Sequence, residues 1–295
     1  MTALNGIIKD LPIDEYHASE GLSASAIKLL LECPKKYWYE YLNPSKHLHD
    51  SKESRCLVIG QALHTKVLEP YAFNNRFYTW PAHLEKIDRR TKKGKEEFNN
   101  ILNINQGKTY LNANEMEQVQ SMVDAVFSNR DYNNIMSHKE NTHIETSLYF
   151  KHKNYDVLLK SRPDLFNDFM VLDLKTTLNA SEEDFKKSIY KYGYHIQAAL
   201  ALDALEHICP QATKREFVIL AVEKLPPYLT AVYVLDNESI EIGREKYKQG
   251  IGIYKECLRN KRWNGYPEGI RSIGLPAWAI NQSMNATAEM ISAPF

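Results

Sequence analysis

Arg162-Pro163-Asp164-Leu165-Phe166-Asn167-Asp168-Phe169-Met170-Val171-Leu172-Asp173-Leu174-Lys175-Thr176-Thr177 is the stretch of this 295-residue chain whose reading decides the fold. Apolar residues flank the turn-forming pair Asn167-Asp168, so the segment predicts two strands folded back on each other as a hairpin. Side chains alternate along the second strand, which places Asp173 and Lys175 on one face while Leu172 and Leu174 anchor the other in the core. The triplet Asp-x-Lys alone is weak, because Asp50-Ser51-Lys52 and Asp184-Phe185-Lys186 share it. Only Asp173 and Lys175 fall in a predicted strand.

With the hairpin closed, Asp164 comes from the neighbouring strand and converges on Asp173, so two carboxylates and one ammonium share a small volume. Carboxylates held together repel, and a divalent cation resolves the repulsion. A hard site with few carboxylates and several waters suits Mg²⁺, and the backbone carbonyl of Leu174 offers a further oxygen. Lys175 sits too far along the strand to be a ligand, but can hold or deprotonate an attacking water and offset phosphate charge. This is a phosphodiesterase arrangement; the competing reading is a plain salt bridge at a strand end.

Around the hairpin, period-two runs from Ile144 to Thr177 predict an antiparallel meander. A helix capped by Ser181, with Asp184 three residues on, precedes a second from about Tyr194 to Ile208. The strands EFVILAVE and LTAVYVLD follow, broken by Pro226-Pro227, and a long helix covers roughly Glu238 to Asn260. The tail WNGYPEGIRSIGLPAWA has no clear period and reads as an irregular strap. Upstream, Ser23 and Ser25 can cap a helix carrying Ile27, Leu29, Leu30 and Leu31, which meets the aromatic run Tyr37, Trp38, Tyr39 and Tyr41. A helix across Leu57 to Leu68, stopped by Pro70, presents Leu57, Leu63, Val67 and Leu68 as its apolar face and contains His64. Met116, Val119, Met122, Val123 and Val126 mark a core-facing helix from Glu115 to Phe127. The expected organisation is one domain over 1–295, with a helical region about 1–140 and a sheet core about 144–260.

The chain is 43% hydrophobic and 25% charged, which excludes a disordered tail, since a fold of this size buries roughly 75% of its unfolded surface. Lys and Arg (37) cancel Asp and Glu (37), so any affinity for polyanions must come from local clusters. The densest is residues 85–95, EKIDRRTKKGK, with Arg89, Arg90, Lys92, Lys93 and Lys95; it reads as a solvated loop or as a phosphate-binding segment. The four cysteines form no C-x-x-C pair, which argues against zinc knuckles, a disulfide framework and iron-sulfur centres. With neither a leader nor an apolar run of ~18 residues, a soluble cytoplasmic protein without membrane contact is expected.

Several motifs, in order along nearly the whole chain, resemble the PD-(D/E)-x-K nuclease superfamily and most closely its RecE-type exonucleases. They are Gly60-Gln61-Ala62-Leu63-His64, Leu68-Glu69-Pro70, Asp88-Arg89-Arg90-Thr91-Lys92, Arg162-Pro163-Asp164, Asp173-Leu174-Lys175-Thr176-Thr177 and Tyr192 through Gln197. Ala221-Val222-Glu223-Lys224, Pro226-Pro227-Tyr228, Trp263-Asn264-Gly265-Tyr266 and Leu275-Pro276-Ala277-Trp278-Ala279 complete the set. The resemblance implies an α/β (α+β) fold, with a restriction-endonuclease-like central mixed sheet flanked by helices.

It also implies Asp164 and Asp173 as metal-binding carboxylates, Lys175 as the catalytic lysine, and His64 as an added metal ligand beside Mg²⁺ or Mn²⁺. Gln197 would orient the water or a phosphate oxygen. Superfamily members often carry Tyr four residues after this Gln; here that position is Ala201, and Tyr194, three residues before Gln197, is the alternative. Glu145 reads as a further acidic neighbour or a cross-strand ion-pair partner and stands outside the core set. The activity implied is 5′-to-3′ digestion of double-stranded DNA ends by a homo-oligomeric ring, with a tetramer as one implied size; the alternatives are an endonuclease or structure-specific nuclease of the same superfamily, or a non-catalytic DNA-binding or partner-binding module that retains the fold. The 3′ single strand would pass to a RecT-like annealing protein, and the basic segment Arg89, Arg90, Lys92, Lys93 and Lys95 would contact DNA.

Overall fold

The structure, a computed structural model, describes residues 5–45, 54–80, 88, 90–137, 141–210, 214–276 and 280. The chain starts with β1 (Gly6–Ile8), α1 (Ile13–Ala18), α2 (Ala24–Glu32) and α3 (Pro34–Tyr37), then α4 (Arg55–Leu68), α5 (Phe73–Arg76) and β2 (Phe77–Thr79). Next come α6 (Lys92–Ile104), β3 (Thr109–Leu111), α7 (Ala113–Ser128) and α8 (Arg130–Ser137). Five strands follow: β4 (His143–Ile144), β5 (Ser147–Lys151), β6 (Leu158–Ser161), β7 (Leu165–Phe166) and β8 (Met170–Thr177). The last elements are α9 (Glu182–Tyr192), α10 (Tyr194–Ile208), β9 (Glu216–Glu223), β10 (Thr230–Val234) and α11 (Asn237–Asn260).

The central sheet has the order β10-β9-β8-β7-β4, mixed as expected: β8 and β9 pair in parallel and the other neighbours antiparallel. Its apolar residues alternate between two cores. Phe217, Ile219 and Ala221 of β9 face a core shared with α2, α10 and α11, while Val218, Leu220 and Val222 face α4 and α7. Both faces of β8 and β9 are therefore covered, which is why these strands read as near-continuous apolar runs.

The meander from 144 to 177 is divided between two sheets. β5 and β6 pair with each other and with β1 in a separate three-stranded sheet, while β4, β7 and β8 join the central one. The break falls at Arg162-Pro163-Asp164, where proline cannot donate a ladder hydrogen bond. Leu57, expected on the apolar face of α4, is 60% exposed, whereas Leu63, Val67 and Leu68 are buried. Ser181 occupies the cap position of α9 without a side-chain cap bond; Asn179 instead accepts from Ser181 N at 2.8 Å and donates to Asp184 at 2.6 Å. The aromatic run splits, with Tyr37 buried against Trp263 and Tyr254 while Tyr39 and Tyr41 are exposed. The tail packs at Trp263 and Asn264, whose carbonyl accepts from Lys35 N at 3.0 Å, and residues 267–276 are exposed.

Lys160 lies almost fully buried on β6. Its Nζ donates to the carbonyls of Tyr16 (2.7 Å), His17 (3.3 Å) and Ser19 (2.7 Å), tying down the C-terminal turn of α1. Replacing Lys160 by Met keeps the volume but strips those carbonyls of their donor. The expected cost is about 3 kcal/mol in urea unfolding, and an unchanged midpoint would show that the staple is idle.

Candidate active site

The β7–β8 hairpin closes around Asn167-Asp168, with Leu165 opposite Leu172 and Phe166 opposite Val171. That register brings Asp164 to β8, where its Oδ2 accepts from Leu174 N at 2.6 Å. His64, half-buried on α4, places Nδ1 3.4 Å from the same oxygen. Asp173 is wholly buried; its Oδ1 accepts from Gln197 Nε2 at 2.6 Å, the amide arriving from the first turn of α10. Lys175, on the same face of β8, holds Nζ 2.5 Å from Asp173 Oδ2 and 4.9 Å from the Tyr194 ring centre. Beyond that ammonium, Asp173 Oδ2 has no hydrogen-bond partner among the described residues.

Glu145 joins this group. His64, Glu145 and Asp164 each offer a ligand atom, and the three atoms lie within 4.8 Å of one another. The Glu145 backbone has φ 45°, a left-handed conformation costly for a side-chain-bearing residue, and its N–H donates to the Asp164 carbonyl at 3.0 Å. Arg162 fixes the carboxylate through Nε to Glu145 Oε2 at 3.1 Å, and its Nη1 donates to the Leu11 carbonyl (2.7 Å) and Ser147 Oγ (3.1 Å).

Crowding of charge shows in the titration of these groups. Burial and the neighbouring Asp164 push the Glu145 carboxyl up to about 7. Burial also raises Asp173, with Lys175 opposing and Asp164 adding to the rise. Asp164 lies below the usual carboxylate range, because His64, Lys175 and the Leu174 N–H outweigh its burial. Lys175 and His64 are both raised: burial pulls each down, and the adjacent carboxylates more than offset it.

These residues fit a divalent cation on two grounds. Asp173 Oδ2 is a buried carboxylate oxygen whose contact is the Lys175 ammonium at 2.5 Å, and its remaining lone-pair capacity is of the kind that a cation satisfies. The donor set of carboxylates with one imidazole suits Mg²⁺ or Mn²⁺ rather than a thiolate-seeking metal. Leu174 commits its N–H to Asp164, and in an extended strand the carbonyl of the same residue projects to the same edge. If Glu145 is a ligand, Glu145→Gln should shift the midpoint of a Mn²⁺ thermal-stabilisation titration about tenfold. Coincident titrations would remove it from the set.

Asp164, Asp173, Lys175, Gln197 and His64 are thus brought together. The basic segment is not joined to them: among the described residues none of its side chains hydrogen-bonds or ion-pairs with the cluster. Lys92, Lys93 and Lys95 form the first turn of α6, capped by Thr91 Oγ1, rather than a loop. Arg90 pairs with Asp88 at 2.9 Å, and Arg89 lies outside the described residues. Of the other Asp-x-Lys triplets, Asp184 and Lys186 sit on α9, where residues two apart diverge, and Asp50-Ser51-Lys52 lies outside the described residues. Ala201 is buried in the core, leaving Tyr194 as the tyrosine beside Lys175.

A family model described as a PDDEXK-like domain of unknown function (DUF3799) matches residues 23–275. The chain belongs to this PDDEXK-like family. Nucleases of the PDDEXK type use divalent metals, in keeping with the donor set above. No curated protein matches it. Among solved structures, the chain resembles a "Putative exonuclease" from Eubacterium rectale with a TM-score of 0.53 and 12% identity, over 89% of this chain and 97% of that one. An alkaline exonuclease from Laribacter hongkongensis matches with a TM-score of 0.27 and 11% identity, over 68% of this chain and 96% of that one. The first of these likenesses shows a shared fold; the second is too distant to add to it. No helix among the described residues is long and apolar enough to cross a membrane.

Proposed function

We propose that this chain, as one nuclease domain over 1–295, is a metal-dependent exodeoxyribonuclease acting 5′ to 3′ from the ends of linear double-stranded DNA. Its 3′ single-stranded tails would serve a RecT-like annealing protein, with Mg²⁺ as the metal and Mn²⁺ as a substitute. The observation that carries the reading is the convergence of Asp164, Asp173, Lys175 and Gln197 on one buried cluster of carboxylates. Asp164, Asp173, His64 and the Leu174 carbonyl would hold a divalent cation there, which when bound would supply charge neutralisation and acidify a water.

The protein's own groups do the rest. Gln197 and Lys175 fix Asp173 from opposite oxygens, and the Leu174 N–H with His64 fixes Asp164, so neither carboxylate reorganises when a phosphate arrives. Lys175 Nζ brings a positive charge and donor hydrogens to the scissile phosphate and the attacking water. Lys92, Lys93 and Lys95 stand at the positive end of the α6 dipole instead of the negative end, which concentrates potential suited to a phosphate backbone. Resemblance to RecE-type exonucleases supports the polarity and a tetrameric ring around DNA, whose channel alone need be basic in a chain of balanced charge.

The test is digestion of linear and covalently closed circular duplexes with Mg²⁺, with the label at the 5′ or the 3′ end. Early release of 5′ label from the linear form alone supports the proposal. Early release of 3′ label reverses the polarity, cutting of the circle replaces the reading with an endonuclease, and no metal-dependent cleavage of either form sinks it. The ring is checked by the solution mass, where a monomer at working concentration would overturn it.

A further inference from the structure

Tyr192 and Tyr194 flank Gly193, the residue that ends α9 and begins α10. Gly193 has φ +68°, and a Cβ there would lie 2.7 Å from Lys28 Cδ, so the junction is closed by backbone that only glycine adopts readily in that space. Lys28 Nζ, from α2, donates to the Tyr192 carbonyl at 2.5 Å and fixes the turn from outside. The two tyrosine rings stack with centroids 5.7 Å apart and planes at 27°. On the inner side Tyr194 lies against Lys175 Nζ at 4.9 Å; on the outer side Tyr192 is 47% exposed, with Lys191 Nζ over its ring at 5.4 Å. A continuous line therefore runs from the cluster to solvent: Lys175, Tyr194, Tyr192, Lys191.

We infer that Tyr192 is the stacking platform for an unpaired nucleobase of the strand being cut, beside the scissile phosphate. This rests on the nuclease reading above and names a contact which that reading leaves open. An exposed aromatic ring, braced from behind by a second ring and flanked by ammonium groups, matches how single strands are held: bases on rings, phosphates on cations. Lys191, on a long exposed stem, gives up its place over the ring to the base and meets the adjoining phosphate. The platform is rigid because Gly193 and Lys28 set its angle, so binding a base does not require ordering a loop.

Tyr192→Ala should lower kcat/KM on linear duplex DNA about 5- to 150-fold, the range of one lost base–aromatic stack. Tyr192→Phe should restore it, because the ring and not the hydroxyl carries the contact. Tyr190→Ala, on the same helix but stacked on His195 instead, should leave activity unchanged. An abasic nucleotide at the cleaved end should reproduce the loss with the unaltered protein and add nothing to Tyr192→Ala. Equal kcat/KM for Tyr192→Ala and the unaltered protein, or an abasic penalty that persists in Tyr192→Ala, would overturn the platform.

Binding separates this from failure of the nuclease reading. In an Asp173→Asn background, the fluorescence of 2-aminopurine at a short single-stranded end should be quenched on binding, and Tyr192→Ala should abolish the quench. Quenching lost in Tyr192→Ala while the unaltered protein cuts no DNA would keep the platform and remove the nuclease. Cleavage by the unaltered protein with quenching retained in Tyr192→Ala would do the reverse.

Discussion

Asp173→Asn should lose metal-dependent DNA cleavage by more than about 100-fold while keeping its fold. The substitution is nearly isosteric, and Oδ1 can still accept from Gln197, so secondary structure followed by circular dichroism should not change. What disappears is the negative charge at the buried Oδ2, which faces the Lys175 ammonium. The same variant should lose most of the thermal stabilisation that Mg²⁺ or Mn²⁺ gives the unaltered protein, which at 100 times Kd is about 2.7 kcal/mol. Retained cleavage would remove Asp173 from the chemistry. A retained metal shift with cleavage lost would move the cation to the His64, Glu145 and Asp164 group and leave Asp173 as the anchor of Lys175.

A stability effect as large as that of Lys160→Met should come from a single methyl group. Gly243 on α11 faces α10 so closely that a Cβ would stand 2.1 Å from the His195 carbonyl oxygen and 3.1 Å from the Ala199 Cβ. Helix backbone cannot yield as a flexible side chain does, so Gly243→Ala must force α10 and α11 apart along a face lined by Ala199 and Ile240. The expected loss is about 3 kcal/mol, read as a fall in Tm of about 5 °C. Gly252 on the same helix has, beyond its own turn, no atom of the described residues within 4 Å of where a Cβ would stand, and there alanine should stabilise by about 0.5–1 kcal/mol through helix propensity. Opposite signs for one substitution at two positions of one helix would separate packing from propensity; equal signs would refute the close approach. Since α10 also delivers Gln197, the Gly243 variant should lose activity below its own Tm as well.

Much of the site was legible because it depends on local period. The alternation of Leu172, Asp173, Leu174 and Lys175 survives in β8, the turn at Asn167-Asp168 sets the register that delivers Asp164, and α10 begins at Tyr194. Glu145 was legible only as an acidic neighbour or an ion-pair partner and not as a member of the core set, since its place depends on a left-handed backbone and on a bond to the Asp164 carbonyl across the sheet. The division of the meander was hidden for a related reason: period two identifies strands, but partner choice turns on contacts such as β1 with β5, which are far apart in sequence. Lys160 looks in the sequence like a solvent-facing strand residue, and only the carbonyls at the end of α1 show why a lysine is buried there. Leu57 has the helical phase of a core residue but sits exposed in the first turn of α4.

The bond from Arg162 to the Leu11 carbonyl bears on where this protein can be trimmed. The stretch recognisable by family likeness opens at residue 23, yet the guanidinium that holds Glu145 takes one of its acceptors from residue 11. The first twenty-two residues also supply β1, the edge partner of β5, and the carbonyls that receive Lys160. A boundary drawn from similarity alone would sever a buried cationic joint one side chain away from the carboxylate cluster. Recombinant versions cut to the family limits would be poisoned at the centre by a deletion made at the margin.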